Sequence, residues 1–518
     1  MLRWAVVSIL FAAALSAQQP AFDLLIEGGR IVDGAGNPWF LGDVGVRGDT
    51  IASMGNLSKA AAKVRIDARG LVVAPGFIDI HSHGGRGIFA HPAAENLIRQ
   101  GVTSILEGND GSSPLPVGAY LDKLAATKFG VNFGLFVGHG TLRREAVGLD
   151  NRRATEDEVA KMRALAAEAM KQGAFGLSTG LFYVPGNYAP TEEVIAIAKT
   201  VGELGGMHIS HMRDEAAGSL DSVRETIRIG EEGGLPTQVS HHKIIGTKNW
   251  GLSTETLRLV SEARARGVDV TVDQYAYTAS STGTGALFPQ WSMAGGPKAF
   301  AERLQAPEQR ARIKQAITDA IVNGRGGGDP KNVVLASCGF DRSLAGKSLG
   351  DLAAGADAVA EKAIELQLKG GCSAVYHAIR EDDIERILAF PFTMVASDGG
   401  IPTFGDGVPH PRNYGAFARV LGRYVRERKI LTLEEAVHRM SGFPAQRLKL
   451  YDRGLLRPGM KADIAVFDPA TIIDRAEFTN PHQYAEGVRH VLVNGRPALL
   501  NGKMTGDLGG RVLYGPAK

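Results

Sequence analysis

Cysteine is nearly absent from this chain. In 518 residues there are two, Cys338 and Cys372, which excludes a disulfide-built fold, and neither lies in a zinc-type cysteine motif. Spacing alone leaves open whether they pair with each other. Beyond the N-terminus no apolar run approaches the roughly 20 residues of a membrane span, and no internal repeat stands out. Charge of one sign is also lacking: a formal net charge of +3 gives no reason to expect nucleic acid or an anionic membrane as partner. What remains is ordinary soluble composition, 44% hydrophobic and 22% charged, with length enough for a large barrel and a second, smaller domain.

The N-terminus has its own texture. Met1-Leu2-Arg3 leads into the apolar run from Trp4 to Leu15, followed by Ser16-Ala17-Gln18-Gln19-Pro20. One positive charge, a short apolar stretch and small residues before a polar break are expected to form a secretory signal peptide over residues 1–19, cut after Ser16 or Ala17. The competing expectation is an uncleaved N-terminal anchor. Cleavage leaves an exported protein, periplasmic or extracellular, with no stable membrane span.

Residues 22–72 show short strands separated by turn formers such as Asp33-Gly34 and Gly48-Asp49, and residues 451–518 have the same texture. Two half-sets of strands flanking a long middle predict a small β-sandwich domain built from both chain ends. The middle, residues 73–450, alternates apolar strands with helix-patterned segments, the mark of an α/β fold with parallel strands. Eight strands are predicted: Val72–His83, Ser104–Asp110, Phe133–His139, Gly176–Tyr183, Gly206–His211, Thr237–His241, Val268–Tyr277 and Phe392–Asp398. Helices are predicted over Thr155–Gln172, Thr191–Leu204, Ser219–Glu232 and Ser253–Arg266, with Thr155 and Thr191 as N-caps. Eight such units favour a (β/α)8 barrel. An insertion at about residues 283–390, containing the glycine-rich Gly324–Pro330, which is expected to be flexible, is predicted above the barrel mouth as a lid.

In such barrels the active site lies at the C-terminal ends of the strands. His81 and His83 close the first predicted strand; being two residues apart, they point to one side. Asp110 closes the second, His139 the third, His211 the fifth, His241 the sixth and Asp398 the eighth. Neutral imidazoles with carboxylates to offset charge suit one or two divalent cations, zinc foremost. Asp398 is the candidate general base. Simpler structural roles stand beside these: Asp398 as a helix cap, Asp110 as a turn residue bonding its own backbone.

The segments Pro75–His83, Gly138–Arg143, Ser178–Tyr183, Ser210–Glu215, Ser240–Lys243 and His410–Arg412, with Leu456–Asp463 and Gly510–Leu513, together resemble the N-acyl-D-amino-acid deacylase (D-aminoacylase) branch of the amidohydrolase superfamily. The likeness runs from about residue 22 to 515. It implies His81 and His83 at a weakly held metal position, His211 and His241 as tight zinc ligands, and Asp398 as the catalytic aspartate. His139, His208 and His242 rank behind them as supporting residues. Arg412, Lys243, Tyr275, Ser281 and Tyr183 match substrate-contacting positions; packing at the barrel rim is the alternative for the tyrosines, and pairing with Asp406 for Arg412.

One departure is visible. The family's D-aminoacylases carry a cysteine in the turn after the second strand, where this chain has Gly108-Asn109-Asp110-Gly111. A carboxylate can bridge two metals, and being harder than thiolate it admits manganese or cobalt more readily. The fourth strand's Gly176-Leu177-Ser178-Thr179-Gly180 has no lysine for the carboxylated bridge of hydantoinase-like relatives. The resemblance therefore implies hydrolysis of N-acyl-D-amino acids or related linear amides and dipeptides. A cyclic amidohydrolase of the dihydroorotase type and a non-catalytic ligand-binding barrel are the alternatives. The acyl group, the stereochemistry, the metal count and the presence of a homo-oligomer stay open.

Overall fold

The computed structural model describes residues 21–518, so the leader expected at residues 1–19 lies outside the described residues. The middle of the chain forms eight parallel strands: Phe77–Asp79, Val102–Glu107, Asn132–Leu135 (continuing as Val137–Gly138), Gly176–Gly180, Met207–His211, Thr237–Val239, Val270–Gln274 and Thr393–Val395. Each pairs in parallel with the next. Gly399–Gly400 then pairs with Ser82–His83, and the Asp398 amide donates to the His81 carbonyl at 2.8 Å. The ladder thus returns to its start as a (β/α)8 barrel. Its strands are buried on both faces, which is why they are near-continuous apolar runs rather than alternating ones.

Helices cover the strands, and their ends follow local chemistry. Thr155 caps Glu156–Gln172 through a reciprocal bond with Glu158, and Gly173 ends the helix in the left-handed region at φ 117°. Thr191 does not cap its helix. Pro190 takes that place before Thr191–Glu203, while the Thr191 hydroxyl donates to Glu225 Oε1 of the neighbouring helix at 2.8 Å.

The single strand expected at Val72–His83 is divided. Val72–Pro75 pairs with Ile464–Phe467 in the terminal sheet, and the barrel part begins only at Phe77–Asp79. Gly76 is the joint: its amide donates to the Asp463 carbonyl at 2.8 Å, and a Cβ there would stand 2.3 Å from the Thr103 side chain. Strands from both chain ends form one continuous nine-stranded sheet rather than two separately stacked ones. It curls so that Ile51 and Ala462 bond across its rim to Met460 and Asp49, enclosing Leu24, Ile26, Val44, Val46, Ile464 and Val466. Asp463 ties this sheet to the barrel, accepting from the Asn494 amide at 2.7 Å and from Asn132 Nδ2 at 3.0 Å.

The insertion has different bounds from those expected. A three-stranded antiparallel sheet (Ser280–Gly283, Val333–Ser337, Ser373–Tyr376) packs with Pro307–Asn323 and Ala356–Leu368 over its own apolar core. Glu381–Ala389, expected inside it, is instead a barrel helix against Ser253–Ala265 and Thr393–Val395. Cys338 and Cys372 are joined in a disulfide. The glycine-rich stretch is a packed turn, not a loose one. Gly326 and Gly328 amides bond back to Ala320 and Ile321 carbonyls, and a Cβ on Gly326 would meet the Ile321 carbonyl at 2.5 Å.

Candidate metal centre and active site

Six of the residues singled out in the sequence meet at the barrel mouth. Asp110 is their centre. Its Oδ1 lies 3.4 Å from His81 Nε2, 3.3 Å from His241 Nε2 and 3.7 Å from His211 Nδ1, while Oδ2 lies 3.3 Å from His83 Nε2. Asp398 Oδ1 stands 3.1 Å from His83 Nε2 and 3.6 Å from His81 Nε2. Two donor sets result, His81, His83, Asp110 and Asp398 on one side and Asp110, His211 and His241 on the other, with Asp110 common to both.

These separations test whether a cation fits. Donors each about 2.1 Å from a tetrahedral ion lie roughly 3.4 Å apart, the spacing seen here. His81 Nδ1 and Nε2, His211 Nδ1 and Nε2 and Asp110 Oδ1 are buried without a hydrogen-bond partner. Buried polar atoms are rarely left so unless something else satisfies them. Strain marks the same place: among the described residues, Asp110, His241 and Asp398 are three of only eight non-glycine residues with positive φ, at 55°, 35° and 49°. Such backbone costs of order 1–3 kcal/mol per residue and is kept where the surroundings over-determine it.

The electrostatics favour an added positive charge. Burial pulls the His211 imidazole down to about 4, keeping it a neutral donor. Burial also opposes charging of His83 and His241, yet Asp110 and Asp398 override it and hold them up at about 10 and about 9. For Asp398 burial disfavours ionisation, but Arg412, His241 and His83 hold its carboxyl well below the usual carboxylate range.

Two further carboxylates, Glu215 and Asp273, stand behind the histidines. Glu215 is buried with Oε1 3.2 Å from His241 Nδ1 and Oε2 3.6 Å from His211 Nε2, each on the nitrogen remote from Asp110. Asp273 Oδ1 accepts the His241 amide at 2.7 Å and faces His81 Nδ1 at 3.7 Å. Acids in such positions set the tautomer and orientation of ligand histidines. The available clue was the spacing His211 to Glu215 and the place of Asp273 near the end of the seventh strand. Arg325, from the glycine-rich turn, was also missed.

His139, His208 and His242 do not join the cluster. His139 Nε2 bonds Glu193 at 3.1 Å, His208 sits between Thr179 and Thr237, and His242 bonds Thr256 at 2.7 Å. Tyr183, Lys243, Tyr275, Ser281 and Arg412 all line one cavity of about 1020 Å³ with the cluster at its base. The Arg412 guanidinium does not pair with Asp406. It donates to Asp398 Oδ2 at 2.7 Å and to the Ser281 carbonyl at 3.3 Å, and stacks 4.6 Å from the Tyr275 ring. Tyr183 bonds Thr282 at 3.0 Å, while the Tyr275 hydroxyl is buried without a partner. No lysine is found on the fourth strand.

Comparison with known proteins agrees with this geometry. A model of the Amidohydrolase family matches residues 65–499. The chain is 40% identical over 522 aligned residues to a D-aminoacylase of Alcaligenes xylosoxydans xylosoxydans, covering 96% of this chain and 98% of that protein. It is 38% identical to an N-acyl-D-glutamate deacylase of the same organism, covering 92% and 93%. A crystal structure of an N-acyl-D-glutamate deacylase from Bordetella bronchiseptica, complexed with zinc and a phosphonate inhibitor, superposes with a TM-score of 0.82 at 34% identity, over 95% of this chain and 99% of that one. With the family model matching residues 65–499 and a relative 40% identical over nearly the full length of both chains, the chain belongs to the amidohydrolase family.

Proposed function

We propose that the protein hydrolyses the amide bond of N-acyl-D-amino acids, or of closely related linear amides and dipeptides, with one or two divalent cations, zinc foremost. The observation that carries this is the sharing of Asp110 between two histidine-bearing donor sets beside a buried, ionised Asp398. His81, His83, Asp110 and Asp398 would hold one ion, and Asp110, His211 and His241 another. A bound zinc supplies Lewis acidity and brings the pKa of a water down to about 7.

The remaining chemistry falls to side chains. Asp398 takes the proton of the attacking water through the carboxylate edge that faces His83 and passes it to the departing amine. The new C–O bond forms first, moving the carbonyl π electrons onto oxygen; as they return, the C–N bond breaks and the amine leaves with the proton from Asp398, giving a carboxylate and a free amino acid. Tyr275, with a buried and unpartnered hydroxyl, donates to the oxygen that gains negative charge. Arg412 offers its remaining N–H groups to the substrate α-carboxylate beside Asp398. Absence of a lysine on the fourth strand leaves the cyclic-amide alternative without its bridging group. The leader-like residues 1–19 and the Cys338–Cys372 disulfide support export to an oxidising compartment.

The test uses purified, zinc-loaded protein with N-acetyl-D- and N-acetyl-L-amino acids and dipeptides. Amine release is expected from the D series, and Asp398→Asn is expected to lower kcat about 10²–10⁴-fold while bound metal remains measurable. No release from any acylated amino acid or dipeptide would refute the assignment.

A further inference from the structure

The turn that carries Asp110 packs against the fourth barrel strand. The Ser112 amide donates to the Asn109 carbonyl at 3.2 Å, so Asp110 and Gly111 are the two central residues of a tight turn. Both have positive φ, 55° and 74°, the combination a type I′ turn requires. Aspartate tolerates that region without preferring it, and such a conformation persists only where the surroundings enforce it.

Ser178, at the middle of Gly176–Gly180 and fully buried, supplies that enforcement. Its hydroxyl accepts from the Gly111 amide at 3.1 Å and donates to the Gly108 carbonyl. A serine oxygen can accept and donate at once, so one side chain staples together the residues on either side of Asn109 and Asp110. Strand and turn also touch directly. A Cβ on Gly111 would stand 2.6 Å from the Gly180 amide nitrogen, and one on Gly180 would run into the Asp110 carbonyl. Held in this way, the Asp110 carboxylate reaches both donor sets, with Oδ1 3.3 Å from His241 Nε2 and Oδ2 3.3 Å from His83 Nε2. A ligand constellation of this kind tolerates a displacement of only about 0.5 Å. Ser178 does not line the cavity, so any influence it has on the site passes through the turn.

We propose that Ser178 is a positioning residue whose hydroxyl fixes the Asp110 turn, so that one carboxylate serves both cation positions. The fourth strand has no lysine to offer as a bridge; it supports the bridging acid of the second strand instead. The inference rests on the metal-dependent function proposed above.

The experiment is a double-mutant cycle on metal affinity. Zinc binding by the metal-free protein is measured by competition with a chromophoric chelator for the wild type, Ser178→Ala, Asp110→Ala and Ser178→Ala/Asp110→Ala. The d–d absorption spectrum of each cobalt-loaded protein reports the ligands around the ion. Ser178→Ala is expected to weaken zinc binding about 10–100-fold, the range for residues that orient metal ligands, and to move the cobalt spectrum toward that of Asp110→Ala. In the Asp110→Ala background the same substitution is expected to change affinity by less than about threefold, because the group it positions is gone. An unchanged affinity in Ser178→Ala, or an equal loss with and without Asp110, overturns the proposal and leaves the metal centre standing. An Asp110→Ala protein that binds zinc as the wild type does would overturn the shared-carboxylate reading as well.

Discussion

Substituting Glu215 by Gln tests whether the carboxylate behind the histidines organises the metal centre. In the structure Glu215 faces His241 Nδ1 at 3.2 Å and His211 Nε2 at 3.6 Å, and it pairs with Lys243 and Arg325. Gln keeps the shape and removes the charge, so two effects separate. The histidines lose the acid that directs their inner nitrogens to the cation, which lowers metal affinity about 10–100-fold. Lys243 and Arg325 lose their common counter-ion at a buried site, which destabilises the metal-free protein by about 3–5 kcal/mol. Zinc affinity is measured by competition with a chromophoric chelator, and stability by denaturant unfolding of the apo protein. The double variant Glu215→Gln/Lys243→Met divides the two effects, since replacing the lysine by an apolar chain removes one unpaired charge. Stability is expected to recover in part while metal affinity stays low. If Glu215→Gln binds zinc as tightly as the wild type, or if the double variant restores affinity, orientation by Glu215 is refuted.

Asp110→Ala removes the carboxylate common to both donor sets, and is expected to lower the bound-metal count by at least one ion per chain, measured by elemental analysis after dialysis; an unchanged count would show that Asp110 is not a ligand. The Cys338–Cys372 disulfide closes a loop with a sequence separation of 34, and the chain-entropy relation gives about 3.8 kcal/mol for it. Cys338→Ser/Cys372→Ser should therefore melt well below the oxidised wild type, with no difference between the two under reducing conditions. Burial holds His208 down at about 3, and its ring is enclosed by Thr179 and Thr237. A histidine whose folded pKa is depressed contributes stability that is present above its unfolded value of about 6.5 and is lost as pH falls toward the folded one, so about 2–3 kcal/mol should be gone by pH ~4.5. His208→Asn is expected to show a shallower decline of Tm between those pH values, and an equally steep decline would remove His208 from the acid sensitivity.

Much of the site was legible because strand geometry is local. A side-chain period of two is enough to turn His81 and His83 to one side, and an apolar run ending in a ligand-type residue marks a strand end wherever it occurs. The positions that escaped detection are those whose meaning depends on a distant partner. Glu215 becomes a supporting carboxylate only because Lys243 and Arg325, 28 and 110 residues further on, arrive on its other side. Arg325 sat in a stretch whose glycines predict flexibility, yet the tight return against Ala320 and Ile321 requires those same glycines. Thr191 had the right residue type for a cap and lost its hydroxyl to a carboxylate on the next helix.

By itself the sequence determined the order of strands and helices, the barrel class and the set of imidazoles and acids carried to the strand ends, since each depends on periodicity and neighbour chemistry within a few residues. Only the tertiary structure decided that Val72–Pro75 leaves the barrel for the terminal sheet, that Asp110 stands between two donor sets, and that Arg412 rests on Asp398. Those outcomes turn on which segments lie side by side and which charges lose their water together. Both are properties of packing between separate segments of the chain, and no local pattern encodes them.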